Sequence, residues 1–212
     1  MSESVIKHAL TTAGVMISFT VVGTALLVTT FFTTREPIAR SEAEARLALF
    51  KQILPPQSYD NALLTDTVPI ASGGELHNRE QTLAYRARLA GQPVGVILET
   101  VAPDGYSGDI KLLVAIRADG TISGVRVLAH KETPGLGDYI DIAHDDWIQN
   151  FDGRSLAQPS DEGWKVKKDG GEFDYMAGAT ITPRAVVKAV QGALKYFTAN
   201  REALFAAPAQ AQ

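Results

Sequence analysis

The chain has 212 residues, with 24 acidic and 20 basic side chains, 45% apolar content and no cysteine. That balance excludes a disordered chain, a collagen or a coiled coil, and the missing thiol excludes disulfides, thiolate metal sites, iron-sulfur clusters and cysteine nucleophiles, so any redox chemistry needs an organic cofactor or a His/carboxylate metal. A net charge of −4 without a clustered Lys/Arg surface argues against a nucleic-acid partner, because Lys165, Lys167 and Lys168 are flanked by Asp161, Glu162, Asp169 and Glu172.

Residues 9–32 carry no charge and no proline, and only Ser and Thr interrupt the apolar run. At about 1.5 Å per residue such a helix crosses the roughly 30 Å hydrocarbon core with some tilt. A buried core helix would show a polar face, and a cleaved signal peptide would end in small residues rather than in Phe31-Phe32-Thr33-Thr34-Arg35. An uncleaved anchor is therefore expected, with residues 1–8 ahead of it. Lys7 precedes the span while Arg35, Arg40, Arg46 and Lys51 follow it, so a local count of positive charge keeps the large domain inside. Long C-terminal segments are translocated largely regardless of charge, which leaves orientation open at this level.

After the anchor, residues 33–205 read as one α+β domain, with residues 206–212 as a frayed tail. Ala45, Leu49 and Ile53 recur at helical spacing and predict an amphipathic helix over 41–54, ended by Pro55-Pro56. A helical turn is expected at 59–64. Alternating apolar residues over 83–89, an apolar run over 94–101, then 110–116 and 121–129 predict a four-strand antiparallel meander, with Gly91-Gln92-Pro93, Asp104-Gly105 and Asp119-Gly120 as its turns. Residues 140–151 read as weakly helical, and 164–168 and 173–176 as two short strands around Asp169-Gly170-Gly171. Val186, Val190, Leu194 and Phe197 mark one face of a long helix over 183–205, with Thr182 as its N-cap and Pro183 as its first residue. The sum is an antiparallel sheet flanked by helices.

Two segments carry chemistry. The first, His130-Lys131-Glu132-Thr133-Pro134-Gly135-Leu136-Gly137, follows the last strand of the meander. Its glycines allow a ligand close to the backbone, and Leu136 offers an apolar surface to a flat ring. The second runs Asp174-Tyr175-Met176-Ala177-Gly178-Ala179-Thr180-Ile181-Thr182-Pro183, where small residues leave the Thr180 hydroxyl uncrowded at the start of a helix. Unpaired N–H groups and the positive end of the helix dipole suit that position to a phosphate. Each segment alone is an ordinary turn or a capped helix start.

Together, in this order and behind one N-terminal span, they resemble the covalent FMN-binding domain family of the bacterial Rnf complex G subunit, whose relative is the C subunit of the sodium-translocating NADH:quinone reductase. The resemblance runs from the anchor through Ile53-Leu54-Pro55 and Tyr106-Ser107-Gly108 to both segments, and the chain departs from the family pattern at Ala177, often Ser or Thr, and at Tyr175, often Gly.

The resemblance implies FMN esterified through its phosphate to Thr180. It further implies a separate flavin transferase that takes the group from FAD with magnesium, and Asp174 as the recognition residue of the Asp174–Thr180 pattern. It also implies an inner-membrane subunit whose soluble domain is periplasmic, relaying electrons with the other Rnf subunits in a complex that couples ferredoxin/NAD electron transfer to cation transport. Glu132, Thr133 and the backbone of Gly135 to Gly137 are then candidates for polar contacts to the flavin ring, with Leu136 packing on it and His130, Ala177, Gly178, Ala179 and Thr182 completing the site. No side chain is required as general acid or base. His130, Asp138, Asp141, His144, Asp145 and Asp146 follow no recognised ligand spacing, so no metal is expected, and Trp147 and Trp164 read as packing residues. The competing readings are an anchored sensor or scaffold without cofactor, or the flavin subunit of a related quinone reductase.

Overall fold

The computed structural model describes residues 2–206. The chain divides at Arg46/Leu47 into an N-terminal unit and a domain. The described residues of the N-terminal unit all belong to α1 (Ser2–Ile53). No residue of its apolar stretch is buried, with Met16, Phe19, Leu27 and Phe32 each more than half accessible. By length and composition this helix can cross a bilayer, where its backbone groups are satisfied within the helix. Ser18 and Thr20 donate their hydroxyls to carbonyls four residues back, so these polar interruptions are satisfied within the helix. The expected break between the anchor and the amphipathic helix over 41–54 is absent. Pro37 lies inside α1, and the strong helix formers after it sustain the helix on either side.

In the domain, β1 (Thr67–Ile70), β2 (Thr82–Leu89), β3 (Gln92–Ala102), β4 (Ile110–Arg117) and β5 (Ile122–Ala129) form one antiparallel sheet in the order of the chain. The meander thus has five strands rather than four. The edge strand β1 carries the exposed Pro69, which an edge tolerates because no partner needs its missing N–H. The β2–β3 hairpin turns at Ala90-Gly91, both at positive φ, one residue earlier than the predicted turn.

Strand alternation places successive side chains on opposite faces, and here both faces are buried. Val96, Leu98, Leu112, Val114 and Ile116 enter the larger core beneath α2 (Ile181–Phe205), which packs across β3 and β4. Ile97, Leu113 and Ala115 face the other way, onto Phe50, Ile53 and Leu54 at the end of α1 and onto Leu63. The segment after α1 is a short 3-10 turn at Pro56–Ser58, not a helical turn over 59–64.

Between β5 and α2 the chain has no regular strand or α-helix. Residues 140–151 are not one weak helix but two 3-10 turns, Asp138–Ile140 and Trp147–Phe151. The two short strands expected around Asp169 reduce to a single parallel bridge, Val166 to Phe173, with 3-10 turns at Asp161–Gly163 and Lys167–Asp169. Aromatic packing replaces strand pairing there: Tyr139, Trp147, Phe151, Phe173 and Trp164 contact in a chain with centroids 4.8–5.5 Å apart. Of the expected frayed tail only Ala206 falls within the described residues.

Candidate functional site

The two chemical segments, far apart in sequence, form opposite sides of one cavity of about 280 Å³. Glu132, Thr133, Leu136 and Gly137 contribute one side, and Gly178, Ala179, Ile181 and Thr182 the other. Tyr106, from the β3–β4 connection, completes the wall. Ligand sites run to about 300–1,000 Å³, so this cavity suits one flat ring system better than a whole mononucleotide. The large lining side chains Tyr106, Leu136 and Ile181 are 67%, 46% and 46% exposed, Tyr106 well above the 43% of Leu89 in β2 and the other two close to it. Apolar walls left uncovered around a concave site are what a bound ring would cover.

The floor is polar and buried. Glu132 and Thr182 are 4% and 1% exposed. The Thr182 hydroxyl donates to Glu132 Oε2, and the Ser107 N–H donates to Oε1 at 3.0 Å. Gly137 sits tightly over this pair: a Cβ there would meet Glu132 Oε2 at 2.8 Å and Thr182 Oγ1 at 2.9 Å. Its φ is −86°, so close approach to the protein's own groups, not an unusual backbone angle, demands glycine. Gly135 differs, with φ +74° and open space around it. It serves the turn that returns Leu136 and Gly137 N–H to the Thr133 carbonyl at 3.1 and 3.0 Å. His130 stands back from the cavity, accepting the Glu132 N–H on Nδ1 at 3.1 Å and lying 4.0 Å from Asp141 through Nε2. His144 approaches a different carboxylate, Asp138, at 3.7 Å.

The second segment is held mainly through its backbone. Trp147 Nε1 donates to the Asp174 carbonyl at 2.8 Å, and the Met176 N–H donates to the Tyr139 hydroxyl at 3.3 Å. Burial pushes the Tyr139 hydroxyl up to about 12, with Asp145 adding to the effect. Trp147 thus both packs and positions the segment, a role that its place in the sequence did not disclose. The Asp174 carboxylate points to solvent, 61% exposed, paired with Lys167 at 2.5 Å. Ala177 and Gly178 are exposed, Gly178 at φ +90°.

Thr180 is the N-cap of α2, half-buried and in helical conformation, and its side chain makes no capping hydrogen bond. The expectation that Thr182 caps the helix and Pro183 opens it is corrected: α2 begins at Ile181, two residues earlier. Proline costs nothing there because first-turn N–H groups have no partner inside the helix. Thr182 is free to turn inward to Glu132, and Thr180 is left with an uncommitted hydroxyl between the cavity-lining Ala179 and Ile181.

Comparison with known proteins agrees with this geometry. A family described as FMN-binding domain matches residues 105–195, which contain every wall of the cavity, and one described as RnfG N-terminal region matches residues 1–53. The G subunit of the ion-translocating oxidoreductase complex of Pseudomonas aeruginosa (strain UCBPP-PA14) is 53% identical over 188 residues, covering 89% of this chain and 88% of its own. The chain belongs to this G-subunit family. The corresponding G subunits of Pseudoalteromonas atlantica, 44% identical over 95% of this chain and 94% of theirs, and of Shewanella loihica, 43% identical over 100% and 98%, extend the match along the whole length. Tyr106 and Ile181 are the cavity residues that motif reading left out, and the Tyr106-Ser107-Gly108 sequence was the available signal for the first.

Proposed function

We propose that this chain carries FMN as a phosphoester on Thr180, with the isoalloxazine ring in the cavity between residues 132–137 and 178–182. The chain is a membrane-anchored flavoprotein of an ion-translocating oxidoreductase complex, the assembly named for its relatives. The observation that carries the attachment reading is the Thr180 hydroxyl, free of capping duty at a helix start and flanked by two residues of the ring-sized cavity.

The residues fit the group. The first-turn N–H groups of α2 and the positive end of its dipole favour a phosphate at Thr180. Ala177, Gly178 and Ala179 keep bulk away from the hydroxyl, and Gly178 bends the chain at a φ that other residues resist. Attachment forms the Thr180 Oγ–phosphorus bond and breaks the phosphoanhydride of FAD: AMP leaves and the hydroxyl proton goes to solvent or to the transferase. The exposure of residues 174–178 suits recognition by such an enzyme, with Asp174 presented at the surface. Once bound, the flavin supplies the redox chemistry. Leu136, Tyr106 and Ile181 cover its apolar faces, and the loop from Glu132 to Gly137 fixes its position. A covalent link serves a relay because the carrier stays in place between reduction and reoxidation.

Residues 33–205, which contain the domain, are assigned to the periplasmic side of the inner membrane, with residues 1–8 in the cytoplasm and 9–32 across the bilayer. In that place the domain passes electrons between other subunits while the complex couples ferredoxin/NAD electron transfer to cation transport. Co-expression with a flavin transferase, followed by a denaturing gel, tests the attachment: the wild-type band fluoresces and Thr180→Ala does not. Fluorescence retained in Thr180→Ala and lost in Thr182→Ala refutes the assignment. A reporter fused after Gln212 that works only in the cytoplasm refutes the topology.

A further inference from the structure

Glu132 belongs to the cavity wall, yet its carboxylate is already spent on the protein. Oε1 takes the Ser107 N–H and Oε2 takes the Thr182 hydroxyl. Two glycines close over it: a Cβ at Gly137 would meet Oε2 at 2.8 Å, and one at Gly105 would meet Oε1 at 3.0 Å. A carboxylate with 4% of its residue surface exposed and such neighbours has little room to reach a ligand. Buried charge persists only where hydrogen bonds replace water. The three residues so joined come from three separate stretches: the β3–β4 connection, the loop after β5 and the first turn of α2. Each also bears or adjoins one apolar wall of the cavity, Ser107 next to Tyr106, Thr182 next to Ile181, and Glu132 in the loop of Leu136.

We propose that Glu132 is a positioning residue, a buried clasp that acts through Ser107 and Thr182 to fix the three apolar walls against the flavin ring. The inference rests on FMN occupying this cavity. Without the carboxylate the walls lose their common anchor and the ring environment changes, while Thr180, which takes no part in the clasp, remains able to accept the flavin. Serving one clasp, Glu132 and Thr182 are coupled, so removing either does most of what removing both would do.

The test uses the full-length chain with FMN attached by a co-expressed flavin transferase, in detergent, with intact mass reporting attachment. Visible spectrum and midpoint potential are measured for Glu132→Ala, Glu132→Gln, Thr182→Val, Thr182→Ser and the Glu132→Ala/Thr182→Val pair. Glu132→Ala and Thr182→Val are expected to shift the potential in the same direction, with the double variant shifting little further than either. Glu132→Gln and Thr182→Ser, which can still bridge, are expected to restore most of the wild-type signature. If Glu132→Ala does not fold, the contrast between Thr182→Val and Thr182→Ser decides by itself. Wild-type spectra and potentials in all flavin-loaded variants, or shifts that add in the double variant, overturn the clasp. A wild-type chain that accepts no flavin overturns the functional reading, and the clasp inference with it.

Discussion

The loop that walls the cavity and the segment that leads up to its other wall are built on opposite principles. The loop after β5 is anchored by a buried carboxylate, with Glu132 and Gly137 out of solvent and side-chain hydrogen bonds into α2 and the β3–β4 connection. Residues 174–178 are exposed and tied down chiefly through their backbone, by Trp147 and Tyr139. A ring site must be preorganised, because loose walls would let its occupant adopt several environments. A segment that another enzyme must modify has to stay accessible, and small side chains with backbone tethers give order without enclosure. The contrast suits the proposed division of labour, ring placement by the loop after β5 and attachment by the segment ending at Thr180.

Substitutions that separate those two duties sharpen the contrast, and the largest effect belongs to the attachment side. Thr180→Ala removes the only hydroxyl proposed to react, so covalent flavin falls to background while the circular dichroism of the domain is retained. On the ring side, Gly137→Val drives a side chain into Glu132 and Thr182. Overpacking of this kind costs about 1–3 kcal/mol, measurable by thermal or urea unfolding, and the flavin spectrum changes although attachment at Thr180 persists. An unchanged spectrum in folded Gly137→Val would reduce that loop to a simple turn.

The tethers of the attachment side give two smaller effects. Tyr139 holds its proton up to about pH 12 in the folded domain but only to about 10 when unfolded. The native state therefore binds more protons in that window, and its contribution to stability is complete below pH 10 and lost as pH rises toward 12. Tyr139→Phe flattens this alkaline loss in a pH series of unfolding curves without abolishing it, since burial raises Tyr196 as well. Trp147→Phe withdraws the donor from the Asp174 carbonyl, at a cost of about 1 kcal/mol, and trimming the buried indole adds a cavity cost to it. It should slow flavin uptake in a timed transferase reaction and leave the spectrum of the loaded protein as it was.

Much of this contrast was legible in the chain. Period-two alternation and Gly-containing turns located β2 to β5, and the apolar i, i+4 pattern located α2. The short β1 escaped because Pro69 masks its strand character, and the anchor and the helix over 41–54, read as separate elements, are one continuous α1 that runs through Pro37. Both sides of the cavity were recognisable as motifs. What local pattern could not supply was the bond between Glu132 and Thr182, 50 residues apart. That bond makes Thr182 a buried partner rather than a cap, and makes Gly137 a spacer over the clasp as well as a point of close approach for a ligand. Trp147 and Trp164 were correctly read as packing, yet only the fold shows that Trp147 also reaches the Asp174 carbonyl.

The most direct test of the central claim is the mass of the denatured full-length protein after co-expression with a flavin transferase, with fragmentation of the peptide that contains both Thr180 and Thr182. The attachment account predicts an increase of one FMN less one water, localised to Thr180. An unmodified mass in flavin-loaded protein, or the added mass on Thr182, would contradict it.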